Sequence, residues 1–158
     1  MKNILASMCY IDTGSHYLML KRNKKENDVH EGLTISVGGK IEAGETPEEA
    51  IIREVKEETG LDISKPKLRG IITFPKFDGE NNWYTYLFTA TNFSGNMLEN
   101  CPEGDLIWVD KEDIKNRKIH TWEGDFIFLD WLIDEKPFFS AKFEYVNKEL
   151  KDYSVEFY

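Results

Sequence analysis

The sequence predicts an α/β (α+β) fold, a mixed β-sheet with helices on its faces, and three observations carry that expectation. Short β-rich runs recur between turn residues, one central and one late segment are apolar at helical spacing, and no linker, repeat or low-complexity tract interrupts them. One domain over residues 1–158 is the expected organisation, long enough to bury a core without staples.

Taken in order, "ILASMCYI" and "HYLMLKR" read as strands joined by the turn Asp12-Thr13-Gly14-Ser15, a hairpin signal. "NKKENDVHEGL" is a polar loop, and "TISV" is a short strand leading into Gly38-Gly39. A helix start follows at Thr46-Pro47-Glu48-Glu49. The threonine caps, proline fits the first helical position, and Glu49 reaches back to the cap. Gly60 supplies a left-handed stop, so the helix runs from Pro47 to Thr59. At about 100° per residue, Ile51, Ile52, Val55 and Thr59 fall on its core face. "KLRGIITFPKF" and "NWYTYLFTAT" are strands about the turn Asp78-Gly79-Glu80-Asn81, and "DLIWVD" is another. "EGDFIFLDWLIDE" has apolar residues at helical spacing, Phe126, Leu129 and Ile133 with Phe128, Trp131 and Leu132. The tail "FFSAKFEYVNKELKDYSVEFY" alternates like a closing hairpin.

Composition narrows the partners. A net charge of −9 disfavours non-specific binding to nucleic acid or anionic lipid. It still admits a small polyanion bridged to carboxylates by a divalent cation. Cys9 and Cys101 are isolated, fit no metal-ligand spacing, and read as free thiols in a reducing compartment. The opening "MKNILASMCYIDTG" is too short and interrupted for a signal peptide, and no apolar run would span a bilayer. A soluble cytoplasmic protein with no membrane partner is expected.

Residues 38–61 concentrate seven glutamates and one arginine. Glu54, Glu57 and Glu58 stand at i, i+3 and i+4, roughly opposite the core face, with Arg53 beside them. Such like-charge pairs cost roughly 0.2–0.5 kcal/mol each in an isolated helix. Hard divalent cations between the carboxylates would reverse the sign, since Mg²⁺ prefers oxygen ligands and bridges to phosphates. The cluster reads as a metal platform; a solvated charged face is the alternative.

Gly39, Glu45, Arg53, Glu54, Val55, Glu57, Glu58, Gly60 and Leu61 stand in the order and spacing of the Nudix box, here residues 39–61. The stretch thus resembles the signature of the Nudix hydrolases. The resemblance implies an α/β/α sandwich with a mixed sheet, and hydrolysis of a nucleoside diphosphate linked to another moiety with Mg²⁺ or Mn²⁺. It places the metals on Glu54, Glu57 and Glu58 with the Gly38 carbonyl, and makes Glu57 or Glu58 the general base. Arg53 would orient Glu54 or pair with Glu45. Gly38, Gly39, Lys40 and Ile35 become candidate contacts to a small-molecule nucleotide. A monomer is expected, with a dimer as the alternative.

Beyond the box, "YIDTGSHYLMLKRNKKENDVHEG", "GIITFPKFDGENNWYTYLF", "TWEGDFIFLDWL" and "KPFFSAKFEY" resemble the MutT/MutX-type and oxidised-purine triphosphatase branch. That branch implies clearance of 8-oxo-dGTP from the nucleotide pool. It makes Glu103 a further metal ligand, and makes Trp122 and Asp125 the base pocket. An indole face stacks on a purine, and a carboxylate at a helix start reads an N–H edge. A core anchor and a first-turn charge are the alternatives for these two residues. The chain departs from the branch at Gly124, where the mammalian member has a second aspartate, and at Ile35, where it has an asparagine. Thr34 replaces a tryptophan often found there, and Pro75 stands near the marker proline of the ADP-ribose branch. Lys21, Arg22, Lys24 and Lys25 form the dense basic run, either gripping a triphosphate or edging a loop. His30 and Glu31 are candidates to approach the substrate, while His16 and His120 read as structural. Other (d)NTPs or ADP-ribose are the alternative substrates, and a non-catalytic nucleotide sensor is the alternative class.

Overall fold

The computed structural model describes residues 1–158. At its centre is β1 (Asn3–Asp12), which has neighbours along both edges. On one edge it runs parallel to β7 (Asn82–Ala90), from Asn3 opposite Asn82 to Ile11 opposite Ala90. On the other it meets β2 (His16–Lys21) only beside their turn, at Ile11–Leu18 and Asp12–Tyr17. It then pairs with β4 (Val37–Lys40), while β3 (Thr34–Ile35) pairs with the end of β2. Residues 34–40 therefore fill the fork where the first hairpin opens.

Beyond β7 lie β6 (Lys67–Phe74), β10 (Phe139–Val146) and β11 (Glu149–Phe157) in turn. β9 (Asp105–Asp110) extends the sheet past β2. The tail hairpin forms as expected, turning through Asn147 and Lys148, both left-handed at φ 51° and 67°. β6 stops at Phe74, so Phe77 belongs to the turn rather than the strand.

Strand alternation gives the sheet two apolar faces. Cys9, Ile11, Leu18, Leu20, Val37 and Phe88 pack with Ile51 and Val55 of α1 (Pro47–Thr59). Tyr10, Tyr17, Met19, Ile72, Leu87 and Phe143 pack on the other face, against Ile114 of α2 (Lys111–Lys115) and Phe128, Leu129 and Leu132 of α3 (Glu123–Ile133). Each large buried side chain contributes about 1.5–3 kcal/mol by leaving water. Helix, mixed sheet and helix make the α/β/α sandwich.

Three elements escaped the sequence reading. β5 (Asp62–Ser64) and β8 (Asn92–Ser94) form a separate two-stranded sheet, and α2 spans five residues. Elements this short carry no measurable period. Ile52 also departs from expectation: it is 38 % exposed, and Ala50 is buried in its place. The core stripe of α1 is centred on Ile51 and Val55, which leaves Ile52 at its rim. Cys9 and Cys101 are buried free thiols, and no helix is long and apolar enough to cross a membrane.

Candidate active site

Local chemistry sets where α1 begins. The Glu49 amide donates to Thr46 Oγ1 at 3.0 Å, and the Thr46 amide donates to the Glu49 carboxylate at 2.9 Å. Pro47 fills the first turn, and Gly60 closes the helix at φ 80°. So fixed, the helix presents its acidic flank to Gly38 and Gly39 on β4. Gly38 has to be glycine, because a Cβ there would collide with the Ser7 carbonyl on β1.

The three helix glutamates do not act as one exposed group on the far side, as the helical projection suggested. Glu54 is only 15 % exposed and Glu58 is half-buried, whereas Glu57 is 60 % exposed. Glu58 follows Ile51 by seven residues, about two helical turns, and so returns to the border of the core stripe. Arg53 ties the flank together. Its Nε and Nη2 donate to Glu45 at 2.7 and 2.9 Å, and its Nη1 donates to Glu54 at 2.8 Å. The roles that the sequence left as alternatives for Arg53 are thus both occupied geometrically. The guanidinium holds the Glu45 carboxyl down at about 2.

Burial, then the negative charges of Glu103 and Glu54, push Glu58 up to about 8, against a backbone hydrogen bond at Gly38 and the charge of Arg22. Glu103 is 31 % exposed and faces Arg22 at 3.4 Å and Lys25 at 3.7 Å. Lys24 donates to the Cys101 carbonyl at 3.1 Å and stands 3.5 Å from Asp105. These three basic side chains are therefore engaged by the loop that carries Glu103.

No three carboxylate, imidazole or thiol groups converge closely enough to enclose a metal ion in this conformation. The donor set nevertheless fits a hard divalent cation. Glu58, Glu103 and Glu54 are oxygen donors whose mutual repulsion raises a proton affinity, and a cation among them would relieve that repulsion.

Next to this flank lies a cavity of about 220 Å³, lined by Ile35, Gly38, Gly39, Trp122 and Asp125 of the expected contacts. Lys40 does not line it; its Nζ lies 5.6 Å from the ring centre of Trp83, which does. Arg22, His30, Phe74, Phe77 and Asp78 also line the cavity, and Glu31 and Pro75 do not. Trp122 packs edge-on against Tyr145 and Phe77, at 5.3 and 5.0 Å between ring centres and interplanar angles of 75° and 64°. Asp125 is 9 % exposed, and its one side-chain hydrogen bond comes from Thr121 at 3.4 Å. Burial pushes its carboxyl up to about 7. Beside it the Gly124 amide donates to the Tyr145 hydroxyl at 2.8 Å. A Cβ on Gly124 would lie 2.5 Å from that oxygen.

Of these residues, Phe77 and Trp83 were missed as functional candidates. Their one signal is the aromatic density of "FPKFDGENNWY", which also reads as strand and turn.

The NUDIX domain family matches residues 2–132. The chain belongs to the Nudix hydrolase family. Nudix hydrolases act on small-molecule nucleotides with divalent metal ions. An uncharacterised Nudix hydrolase of Bacillus subtilis, YvcI, is 31 % identical over 152 residues, covering 94 % of this chain and 91 % of its own length. The crystal structure of a mutator MutT protein from Bacillus halodurans superposes with a TM-score of 0.85 at 28 % identity, covering 97 % of each chain. The oxidised purine nucleoside triphosphate hydrolase of Danio rerio is 32 % identical over 102 residues, 64 % of this chain and 63 % of that one.

Proposed function

We propose that this Nudix hydrolase cleaves purine nucleoside triphosphates, 8-oxo-dGTP foremost, into the monophosphate and pyrophosphate. The observation that carries the reading is the Asp125 carboxyl, buried beside the cavity that Trp122 also lines. A carboxylate placed there rewards a base edge that presents N–H donors, as the guanine type does. The similarity to the Danio rerio enzyme supports the same substrate class.

In this reading the base lies against Trp122 and the phosphates run past Gly38 and Gly39 towards α1. Glu54, Glu57, Glu58 and Glu103, with the Gly38 carbonyl, would hold Mg²⁺ or Mn²⁺, which supplies neutralisation of the phosphate oxygens. Arg53 keeps Glu54 in place. Glu58 takes the proton of the attacking water as the bond between the α- and β-phosphates breaks; Glu57 is the alternative base. The chain would work as a single-domain monomer in the cytoplasm, where its buried thiols stay reduced.

ADP-ribose is the second reading. It is supported by 33 % identity over 87 residues to an ADP-ribose pyrophosphatase of Methanocaldococcus jannaschii, 55 % of this chain and 50 % of that one. The purified protein should be assayed with 8-oxo-dGTP, dGTP, dATP, dUTP and ADP-ribose under Mg²⁺. The highest kcat/KM is expected on 8-oxo-dGTP, with pyrophosphate released. A highest value on ADP-ribose or dUTP overturns the proposal.

A further inference from the structure

His30 lies in the loop between β2 and β3, and its ring lines the same cavity as Trp122 and Asp125. The ring is held on several sides. Trp122 Nε1 lies 2.9 Å from His30 Nδ1, with the two rings perpendicular at 5.8 Å. Phe77 stacks on the imidazole at 6.0 Å and an interplanar angle of 27°. The His30 amide donates to Asp28 Oδ1 at 3.2 Å, and Asp28 Oδ2 accepts from Arg22 Nε.

This geometry fixes the tautomer. An indole nitrogen can only donate, so Nδ1 is the acceptor and a neutral ring carries its proton on Nε2. The ring is neutral because burial and the Arg22 charge, opposed by Asp28, hold its pKa down to about 4. The Trp122 contact is the one hydrogen bond the ring makes within the protein, which leaves the Nε2–H donor without a partner.

We infer that His30 is a second base-reading group, whose Nε2–H donates to a carbonyl oxygen on the purine edge while Asp125 accepts from the N–H groups. The inference rests on the cavity being the purine site. It narrows the substrate to purines that present C=O and N–H together, the guanine and hypoxanthine types. A 6-aminopurine offers a donor where His30 also donates, and neither donor is satisfied.

The test is calorimetric binding of dGMP, dIMP and dAMP to the full chain in EDTA, so that the readout does not depend on metal or turnover. Wild type should bind dGMP and dIMP about tenfold or more tighter than dAMP. His30→Phe keeps an aromatic ring against Phe77 but has no donor, and should bring that ratio to within about twofold. His30→Gln offers an oxygen to Trp122 and an amide donor to the base, and should restore the preference. Melting temperatures of the variants check that the fold is intact. Equal weakening of all three ligands in His30→Phe would mean that the ring only braces Trp122, and would overturn the inference. A preference that His30→Phe leaves unchanged overturns it as well. Either result leaves the hydrolysis of 8-oxo-dGTP untouched, whereas a wild-type protein that binds no purine monophosphate removes both readings.

Discussion

A Cβ on Gly39 would stand 2.6 Å from the carboxyl carbon of Glu54. The glycine thus keeps open the space in which Glu54 reaches Arg53. Gly39→Ala has to move the carboxylate, and it should lower kcat by about a hundredfold and weaken Mn²⁺ binding in calorimetry. The melting temperature should change far less, since the added methyl meets a side chain rather than backbone. Unchanged turnover and metal affinity would separate Glu54 from the chemistry.

Glu58 gives the folded chain a pH dependence. Its carboxyl is raised in the folded state to about 8 from an ordinary value of 4.5. A raised acid favours the folded state most fully below the unfolded value, and that contribution is lost as pH rises through the folded one. In EDTA the melting temperature should therefore fall from about pH 5 to about pH 8, and Glu58→Gln should flatten the fall. Added Mg²⁺ should restore stability at the alkaline end by binding the folded state alone. Glu58→Gln and Glu57→Gln should each lower kcat by about a hundredfold or more. Near wild-type turnover in both variants would end the catalytic reading of this helix.

Trp122 and Asp125 should divide between strength and choice. Trp122→Ala should weaken every purine substrate by about 1–3 kcal/mol, the usual size of base–aromatic stacking. Asp125 accepts from base N–H groups most strongly when ionised, with both oxygens free to accept, and its carboxyl sits up at about 7. The kcat/KM ratio of 8-oxo-dGTP to dATP should therefore rise between about pH 6 and about pH 8, and Asp125→Asn should remove the rise. Asp125→Ala should cost guanine-type substrates more than adenine ones. A uniform loss would make Asp125 a helix-start charge with no part in reading the base.

Local rules made much of this legible in advance. Thr46, Pro47, Glu49 and Gly60 act within a few residues of one another, so the bounds of α1 could be read directly, and turn residues gave the first hairpin as strand alternation gave the last. The box glutamates were visible because their spacing is rigid, but their division into inward Glu54 and Glu58 and outward Glu57 depends on where β4 lies. The Trp122–His30 contact joins residues 92 apart in sequence, and nothing local to either announces the other. Gly124 looked like a missing group, yet its amide and the Tyr145 hydroxyl form a tight contact that only the packed helix reveals.

The two-sided packing of β1 bears on how such a gene can vary. Cys9 and Ile11 serve the α1 face, while Tyr10, between them, serves the α3 face. Point changes on one side leave the other nearly undisturbed, so descendants can repack one face while keeping the other. Losing or gaining one codon in this stretch would exchange the two sets of side chains and ruin both faces at once. Among related genes the residues between Asn3 and Asp12 should vary only among side chains that each face can pack, and their number should stay frozen.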